Sequence, residues 1–424
     1  MKQLSYRQPD FADRVRELNG AAETPREITQ QVRQIISQVK TGGDMALVEI
    51  NNRFSSTPIT RAELTLKHKP RVPGAKVKEA LTLARRNIEK FYRARIPKSS
   101  SGKNAEGATV GEIYQPLRRV GIYVPGGTAP LVSSALMTVT LAKTAGVPEI
   151  VVCTPGPVNP VLYYAIRLAG ATEVYQVGGA QAVAAMACGT SSIRAVNKIY
   201  GPGNVYVVEA KRQVFGRVGI DLLPGPSEVA VLADDSARPA FVAADMLAQA
   251  EHGPRSRIFL VSVSERLIEQ VRAELERQIQ SLDRVQYLRE TLNLGCWFVL
   301  VRDLKQGVAV IEQIAPEHLS LACKGARKLA AEIHHCGGIF VGDYSPVAAG
   351  DYAAGPSHVY PTGGSAVTFS GLTIDQFFRK TSFIHYDKAA LQKGAKTIET
   401  LALAEGLTAH QRSVAIRFGN HELT

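Results

Sequence analysis

Apolar residues recur along the chain with two spacings, and the first spacing predicts helices. In residues 24–52 and 74–96 the apolar positions lie three or four residues apart, as at Val32, Ile35 and Val39. This spacing places them on one face of an amphipathic helix. The N-terminal quarter of the chain is therefore predicted to be mainly helical.

From about residue 119, short runs rich in β-branched residues alternate with alanine-rich helical segments. These runs predict strands at residues 119–124, 149–153, 173–177, 198–200, 228–233, 257–263 and 297–301. Strands that alternate with helices form parallel sheets that are buried on both faces and bind ligands beyond the carboxyl ends of their strands. Two such units fit between residues 20 and 370, and residues 389–405 and 408–418 return to a helical pattern. The predicted fold class is α/β, with two Rossmann-like parallel-sheet domains and small helical segments at both ends.

Composition narrows the class of protein. A chain of 424 residues is too long for one ordinary core, and 45% hydrophobic with 21% charged residues is the balance of a globular protein. No apolar run reaches the roughly eighteen residues of a membrane span, and the first residues lack a signal-peptide pattern, so a cytoplasmic location is expected. The five cysteines form no CxxC pair, which predicts core residues rather than disulfides or a thiolate zinc site.

The net charge of +12 raises the question of an anionic partner. The positive residues are spread thinly, and the densest stretch, residues 85–103, has a helical pattern. Nucleic-acid and membrane partners are therefore not expected. We interpret the basic stretch as a solvated helix face, and the alternative is attraction of an anionic ligand such as a dinucleotide.

Three glycine-containing turns follow strand-like runs. They are Tyr123-Val124-Pro125-Gly126-Gly127, Gly178-Gly179-Ala180-Gln181 and Gly201-Pro202-Gly203-Asn204. None completes the G-x-G-x-x-G fingerprint of dinucleotide-binding domains. On their own they indicate tight strand-to-helix turns rather than phosphate-binding loops.

Two segments combine imidazoles with oxygen-bearing side chains. Gln249 and His252 lie three residues apart in the last turn of a helix that Ser236 is predicted to cap. An imidazole there binds either the carbonyls at the helix end or a metal ion. Glu317 and His318 pair an acid with a group whose ordinary pKa suits proton removal near neutrality, and the alternative is an exposed helix cap. Further candidates on loops and helix ends are Asp343, Asp351, His358, Glu405 and His410.

Taken together, these segments resemble the histidinol dehydrogenase family from about residue 20 to residue 418. The most specific blocks are residues 119–127, 178–182, 201–204, 225–229, 249–253, 316–319, 349–352 and 405–410. Their order along the chain is that of the family. A chance match of so many blocks in one order is hard to obtain.

The resemblance implies that Gln249, His252, Asp351 and His410 bind one zinc ion per subunit, which selects Asp351 over Asp343. Two imidazole nitrogens and two oxygens without a thiolate make a modest Lewis acid. Such a metal suits a substrate bound through two atoms, the amine and the ring nitrogen of histidinol.

The resemblance also implies the catalytic residues and the cofactor. His318 is expected to take the hydroxyl proton while hydride passes to NAD, and Glu317 to activate water for a second oxidation, of the bound aldehyde, by a second NAD. Substrate contacts are implied for Ser227, Gln249, His252, His318, Asp351, Glu405 and His410, with His358 as a further candidate. NAD contacts are implied for Tyr123, Gln181 and Asn204.

Family members are homodimers, and the resemblance extends this expectation to domain organisation. Residues 1–20 are expected to form a helical arm. Residues 21–120 and 229–368 form a discontinuous α/β domain on the substrate and metal side, and residues 121–228 form an α/β domain on the NAD side. Residues 369–424 form a helical domain that contributes Glu405 and His410 to the partner's active site.

Departures from the family pattern lie near the expected site. The chain has Pro224, Ala248 and the pair Pro356-Ser357 where the family usually has Ala, Ser or Thr, and Thr-Asn. An alternative is therefore a related zinc- and NAD-dependent dehydrogenase of another small alcohol, such as a sulfopropanediol. Glu405 favours histidinol, because a carboxylate repels a sulfonate. A nucleotide-binding protein without turnover is the third reading, and the presence of Glu317, His318 and all four metal ligands speaks against it.

Overall fold

The computed structural model describes residues 1–20, 24–55, 57–126 and 130–419. The chain divides into a main unit, Met1–Arg95 with Leu117–Phe377, and a small unit, Ile96–Pro116 with the chain from Phe378 onward. Gly127, which belongs to the turn predicted after the strand at 119–124, lies outside the described residues. Positions 21–23 and 420–424 of the predicted domains also lie outside them.

The bounds of the regular elements are as follows. The strands are β1 (Lys2–Ser5), β2 (Ser100–Lys103), β3 (Thr109–Pro116), β4 (Arg119–Tyr123), β5 (Glu149–Cys153), β6 (Glu173–Tyr175), β7 (Lys198–Tyr200), β8 (Gly219–Ile220), β9 (Glu228–Ala233), β10 (Arg257–Ser262), β11 (Cys296–Leu300), β12 (His318–Ala322), β13 (Gly338–Val341) and β14 (Phe378–His385). The helices are α1 (Phe11–Glu17), α2 (Arg26–Phe54), α3 (Ala75–Arg93), α4 (Val132–Thr144), α5 (Pro160–Ala169), α6 (Gly179–Cys188), α7 (Val205–Val214), α8 (Pro239–Ala250), α9 (Glu265–Ile279), α10 (Val285–Gly295), α11 (Leu304–Ile314), α12 (Ala326–Leu329), α13 (Val347–Tyr352), α14 (Lys388–Ala404) and α15 (Thr408–Ala415).

A five-stranded parallel sheet in the main unit has the order β6-β5-β4-β7-β8. Numbered within the sheet, the strands run 3-2-1-4-5, which is the doubly wound order. The chain leaves β4 toward one side of the sheet and returns at β7 on the other. A crevice is expected between these two strands at their carboxyl ends.

A six-stranded parallel sheet in the same unit has the order β1-β11-β10-β9-β12-β13. From β9 onward it repeats the 3-2-1-4-5 order, and β1 adds a strand beside β11. Val229 and Val231 of β9 face one apolar core, whereas Ala230 and Leu232 face the other. Both faces of this strand are therefore buried, as the continuous apolar run predicts.

In the small unit, β14 pairs antiparallel with β3, which pairs antiparallel with β2. The helices α14 and α15 follow β14, and Gly406 joins them at a φ of +72°. The side chain of Asp387 caps α14 by accepting a hydrogen bond from the backbone N–H of Ala390 at 2.8 Å. The C-terminal helices predicted from the sequence are thus present.

The α/β class with parallel sheets is confirmed, and all seven predicted strands are present. The structure adds strands that the apolar pattern did not indicate. The segment expected to be a helical arm begins with β1, and the C-terminal segment expected to be helical begins with β14, which has exposed polar residues. Short or solvated strands take their stability from pairing rather than from an apolar run, so the pattern is weak there.

The helix α2 lies on the five-stranded sheet, although residues 21–120 were grouped with the other sheet in the predicted domains. Val32, Val39 and Leu47 of α2 share a core with Val151 of β5 and Ile199 of β7. Sequence spacing predicted the helix but could not show which sheet its apolar face would cover.

The helix cap predicted at Ser236 is wrong. The helix begins at Pro239 after Arg238, and the hydroxyl of Ser236 instead hydrogen-bonds the carboxylate of Asp234. Proline at the first helical position explains the later start, because its fixed φ suits that position and it needs no N–H partner.

Within the described ranges, the helices include none with the length and apolar character required to cross a bilayer.

We expect Leu47→Ala to lower the free energy of unfolding by about 2–5 kcal/mol, because Leu47 is fully buried between α2 and the five-stranded sheet. Met45, two residues earlier on the same helix, is 81% exposed, so Met45→Ala is expected to change it by less than about 0.5 kcal/mol. Urea unfolding followed by circular dichroism measures both variants. Equal effects would contradict the packing of this face of α2.

Candidate active site

A cavity of about 240 Å³ lies between the carboxyl edge of the five-stranded sheet and the amino edge of the six-stranded sheet. The turns after β4 and β7 contribute Pro125, Pro202 and Gly203 to its wall. The opposite wall brings together six residues singled out from the sequence, namely Ser227, His252, Glu317, His318, Asp351 and His358.

The amino edge of the six-stranded sheet carries the candidate catalytic pair. The register of β9 and β12 places His318 opposite Val229, so Glu317 comes next to Glu228 at the start of β9 and within hydrogen-bond reach of Ser227. Ligands were expected beyond the carboxyl ends of the strands, whereas the candidate residues of this sheet lie at its amino edge. Crossover helices run back against the strands, so α8 delivers Gln249 and His252 to the same amino edge.

Glu317 is a buried carboxyl group held by two donors. Its Oε2 accepts hydrogen bonds from the Ser227 hydroxyl at 2.5 Å and from the backbone N–H of Glu228 at 2.8 Å. Burial raises the pKa of Glu317 to about 7, although both hydrogen bonds favour the charged form. A carboxyl group with this pKa exchanges its proton near neutrality, as a general base requires.

His318 is fixed in one tautomer. Its Nδ1 lies 2.9 Å from the backbone carbonyl oxygen of Glu228, and because a carbonyl only accepts, Nδ1 carries the proton. Burial lowers the pKa of His318, which keeps the ring neutral with a lone pair on Nε2. Among the described residues, the buried Nε2 has no hydrogen-bond partner, and the carboxylate of Asp351 is 3.9 Å away.

The chain enters β12 through an uncommon backbone conformation. Ala315 ends α11 in the left-handed region, with φ 46° and ψ 60°, and it is fully buried. This conformation costs a residue with a Cβ roughly 1–2 kcal/mol. It turns the chain from α11 into Pro316 and then aims Glu317 and His318 at the cavity.

A second imidazole, His358, is also held neutral. Its Nδ1 donates to the backbone carbonyl of Asp351 at 3.1 Å, and its Nε2 lies 3.3 Å from the Ser134 hydroxyl. Burial lowers the pKa of His358 to about 4, whereas burial raises that of Asp351 to about 6. Ser134, on α4, was not singled out from the sequence, since no pattern distinguishes it from other serines.

Gln249 and His252 present metal-ligand chemistry at the end of α8. Gln249 is 3% exposed, and its amide Nε2 has no hydrogen-bond partner among the described residues. Burial lowers the pKa of His252, so its ring is neutral and able to coordinate a cation. The amide oxygen of Gln249 and a ring nitrogen of His252 are ligand types that fit an oxygen- and nitrogen-binding metal.

The other two groups expected at the site belong to the small unit. Glu405 and His410 flank Gly406 between α14 and α15, and both are exposed. Over the part of the chain that the structure describes, no cluster of three or more His, Cys, Asp or Glu side chains has the geometry of a metal centre.

A larger cavity of about 350 Å³ lies at the carboxyl edge of the five-stranded sheet and is lined by Tyr123, Gln181 and Asn204. The hydroxyl of Tyr123 accepts a hydrogen bond from the backbone N–H of Gly179 at 3.1 Å. The amide oxygen of Asn204 caps α7 by accepting from the N–H groups of Tyr206 and Val207. The three glycine-containing turns therefore meet around one cavity.

Glu228 is a site residue that the sequence analysis missed. Its N–H holds Glu317 and its carbonyl holds His318, while its carboxylate pairs with Arg257 at 2.9 Å. Burial raises the pKa of the Glu228 carboxyl group to about 7. The sequence signal that could have indicated Glu228 is its position as a charged residue directly before five apolar residues of β9.

These features define an enzyme of the doubly wound α/β class, with a buried acid and a neutral imidazole facing a small cavity. A family model described as histidinol dehydrogenase matches residues 18–418. The chain therefore belongs to the histidinol dehydrogenase family, which is a family of oxidoreductases.

Individual relatives agree with this assignment. A histidinol dehydrogenase of Heliobacterium mobile is 42% identical over 405 residues, covering 92% of this chain and 93% of the relative. That of Salmonella typhimurium is 42% identical over 397 residues, covering 92% and 91%. The crystal structure of histidinol dehydrogenase from Elizabethkingia anophelis superposes with a TM-score of 0.89 at 32% identity, covering 99% of this chain and 98% of that one.

We expect Glu317→Gln to change how stability depends on pH. The folded protein keeps the Glu317 proton between the ordinary pKa of 4.5 and about 7, whereas the unfolded chain releases it. Because the unfolded state then binds fewer protons, stability falls as the pH rises through this window, by on the order of 3 kcal/mol from this group. The amide has no proton to lose, so the fall becomes shallower.

Urea unfolding at several pH values across this window measures the change. In the variant the free energy of unfolding still decreases with rising pH, because the pKa values of Glu228 and Asp351 are also raised. Glu269→Gln, at a carboxylate that is 67% exposed, is the control and is expected to keep the parent slope. A parent-like slope for Glu317→Gln would show that its proton is released normally in the folded state.

Proposed function

We propose that this protein oxidises L-histidinol through L-histidinaldehyde to L-histidine, using one zinc ion per subunit and two molecules of NAD. The observation that carries the proposal is the His318 imidazole, whose neutral ring directs an unpartnered Nε2 toward the cavity beside Glu317. Membership of the histidinol dehydrogenase family supports the choice of substrate.

In the first oxidation, Nε2 of His318 takes the proton of the substrate hydroxyl while the carbinol carbon loses a hydride. NAD, when bound, accepts the hydride in each of the two oxidations. The Nδ1–H bond to the carbonyl of Glu228 orients the ring and stabilises the imidazolium that forms. Positioned base catalysis of this kind contributes typically about 10²–10⁴ in rate.

In the second oxidation, the ionised Glu317 takes a proton from a water molecule that adds to the aldehyde carbon. The resulting hydrate, which is an anion because Glu317 holds the proton, loses a second hydride and becomes the carboxylic acid. Ser227 and the N–H of Glu228 hold Oε2 of Glu317, so the carboxylate keeps its direction as its charge changes. The overall reaction produces one histidine and two NADH.

The zinc ion is proposed to bind Gln249, His252, Asp351 and His410. When bound, it supplies a modest Lewis acid that holds the substrate amine and ring nitrogen. The buried amide of Gln249, through its oxygen, and the neutral ring of His252 fit this donor set. Ser227 and Glu405 are proposed as further substrate contacts, and Tyr123, Gln181 and Asn204 as contacts of NAD in the larger cavity.

The protein is proposed to act as a homodimer in which Glu405 and His410 complete the site of the partner chain. Both residues lie in the small unit and are exposed, so they are accessible to a second copy. Their carboxylate and imidazole complement a cationic substrate and a metal ion, respectively.

Purified protein incubated with zinc, NAD and L-histidinol tests the reaction. Two NADH per histidine are expected when both products are followed together. NADH formation with another small alcohol only, such as a sulfopropanediol, would replace the proposed substrate, and no turnover with either would overturn the enzymatic function.

Variants of the catalytic pair separate the two oxidations. We expect His318→Ala to lower the rate of the first hydride transfer by about 10²-fold or more, because the variant lacks the unpartnered Nε2 that is proposed to take the hydroxyl proton. Glu317→Gln is expected to slow mainly the oxidation of added L-histidinaldehyde. His335→Ala, at an imidazole outside the cavity, is the control and should retain parent rates. An unchanged aldehyde step in Glu317→Gln would remove Glu317 from its proposed role.

Complementation tests the shared site. His318→Ala and His410→Ala are each expected to be inactive because each removes one essential part of every site. When the two variant chains are refolded together, half of the random dimers are mixed and hold one intact site of two, so about a quarter of parent activity is expected. No recovery, with mixed dimers verified by mass spectrometry, would place His410 in the site of its own chain.

A further inference from the structure

A fully buried ion pair lies beside the turn that follows β7. Lys211 of α7 and Asp221, which follows β8, contact each other through Nζ and Oδ1, and neither side chain is exposed. Neither residue lines either cavity. The catalytic steps described above therefore do not use these charges directly.

Both partners hold the backbone of one residue, Gly201. Asp221 accepts a hydrogen bond from its N–H at 2.7 Å through Oδ2, and Lys211 donates to its carbonyl oxygen at 2.9 Å. Gly201 has a φ of +108°, and a Cβ there would lie 2.1 Å from the carbonyl oxygen of Tyr123. The ion pair thus clamps a glycine that is wedged against the end of β4.

The clamped turn separates the two cavities. After Gly201, Pro202 and Gly203 line the smaller cavity, whereas Asn204 lines the larger one and caps α7. This turn lies at the switch point of the doubly wound sheet, between the ends of β4 and β7. A shift of the turn moves a wall of both cavities at once.

We propose that Lys211 and Asp221 are positioning residues that fix the turn Gly201–Asn204 between the bound dinucleotide and the bound alcohol, so that hydride transfer depends on them. The inference rests on the proposed function for its kinetic consequences. Hydride transfer requires reacting atoms held within a narrow range of distance, and a misplacement of about 1 Å costs as much as 10²-fold in rate.

The charges themselves are poorly suited to a role in stability alone. Desolvation of two buried charges offsets most of their attraction, and apolar replacements of similar volume are often neutral or stabilising. What an apolar pair cannot replace is the donor to the Gly201 carbonyl and the acceptor for its N–H. Stability and turn geometry are therefore separable by mutation.

The test uses the double variant Lys211→Met/Asp221→Leu in the full-length protein loaded with zinc. Its melting temperature is expected to stay within about 5 °C of that of the parent, because the loss of two backbone hydrogen bonds at Gly201 offsets the gain from removing two buried charges. With histidinol and NAD, kcat is expected to fall tenfold or more while the KM for histidinol changes less than twofold. The deuterium isotope effect on carbinol-labelled substrate is expected to rise, because hydride transfer becomes slower than the other steps.

Two further variants separate positioning from general damage. Lys211→Met/Asp221→Asn restores an acceptor for the Gly201 N–H without restoring either charge, and it is expected to recover part of kcat. Glu209→Gln changes another buried charge on the same helix, one that pairs with Arg212 and does not contact the turn. It is expected to keep parent kcat and the parent isotope effect.

A readout without substrate keeps the test independent of the proposed reaction. Amide hydrogen exchange at Gly201, Gly203 and Asn204 is expected to accelerate at least tenfold in Lys211→Met/Asp221→Leu, while exchange in β4 and β5 stays at the parent rate. A stable double variant with parent kcat and parent exchange would overturn the inference. So would a loss of activity that only follows the loss of folded protein, or faster exchange throughout the sheet. If the parent does not oxidise histidinol, faster exchange in the double variant that is confined to the turn would support the clamp and reject the proposed function.

Discussion

The site depends on a single peptide segment, the backbone of Glu228 at the head of β9. Its N–H donates to the carboxyl group of Glu317 and its carbonyl accepts from Nδ1 of His318, so one strand positions both of the proposed proton acceptors. The parallel register between β9 and β12 makes this possible, because it brings residues 90 positions apart into hydrogen-bond contact. A slip of one residue would send the His318 side chain to the opposite face of the sheet. The chemistry of this protein is therefore set by strand pairing more than by the loops around the cavity.

Sheet pairing also explains how much could be predicted. Buried parallel strands such as β5 and β10 were evident, because each contains four consecutive apolar residues. The amino-edge position of Glu317 and His318 was not evident, since it follows from the order of strands in space. Burial was equally hidden: Glu317 was as compatible with an exposed helix cap as with a buried base. The residue identities of the site came from resemblance to a family, whereas Glu228, Ser134 and the Lys211–Asp221 pair required coordinates.

The larger cavity lies at the carboxyl edge of the five-stranded sheet, where a doubly wound fold binds its ligand, yet none of its turns carries the usual glycine fingerprint. Its walls are three separate turns. Tyr123 joins the first to the second by accepting a hydrogen bond from the N–H of Gly179, and the third is fixed by the Asn204 cap of α7 and by the buried ion pair at Gly201. In the usual fingerprint one local loop provides close approach to the phosphates. Here the glycine Gly201 instead allows the end of β7 to pack closely against the backbone of Tyr123 at the end of β4. Because these contacts connect distant segments, no short motif in the sequence reports them.

The two proposed proton acceptors, Glu317 and His318, are both buried, and burial shifts their pKa values in opposite directions. Burial disfavours charge on both, so it raises the pKa of Glu317 to about 7 and lowers that of His318. The imidazole is consequently ready to accept a proton at neutral pH, whereas the carboxyl group becomes a base only as the pH approaches about 7. A first step that needs a neutral base and a second step that needs an ionised one would thus have different dependences on pH. Burial alone therefore gives the two acceptors different protonation behaviour, because one is an acid that is charged when deprotonated and the other is a base that is charged when protonated.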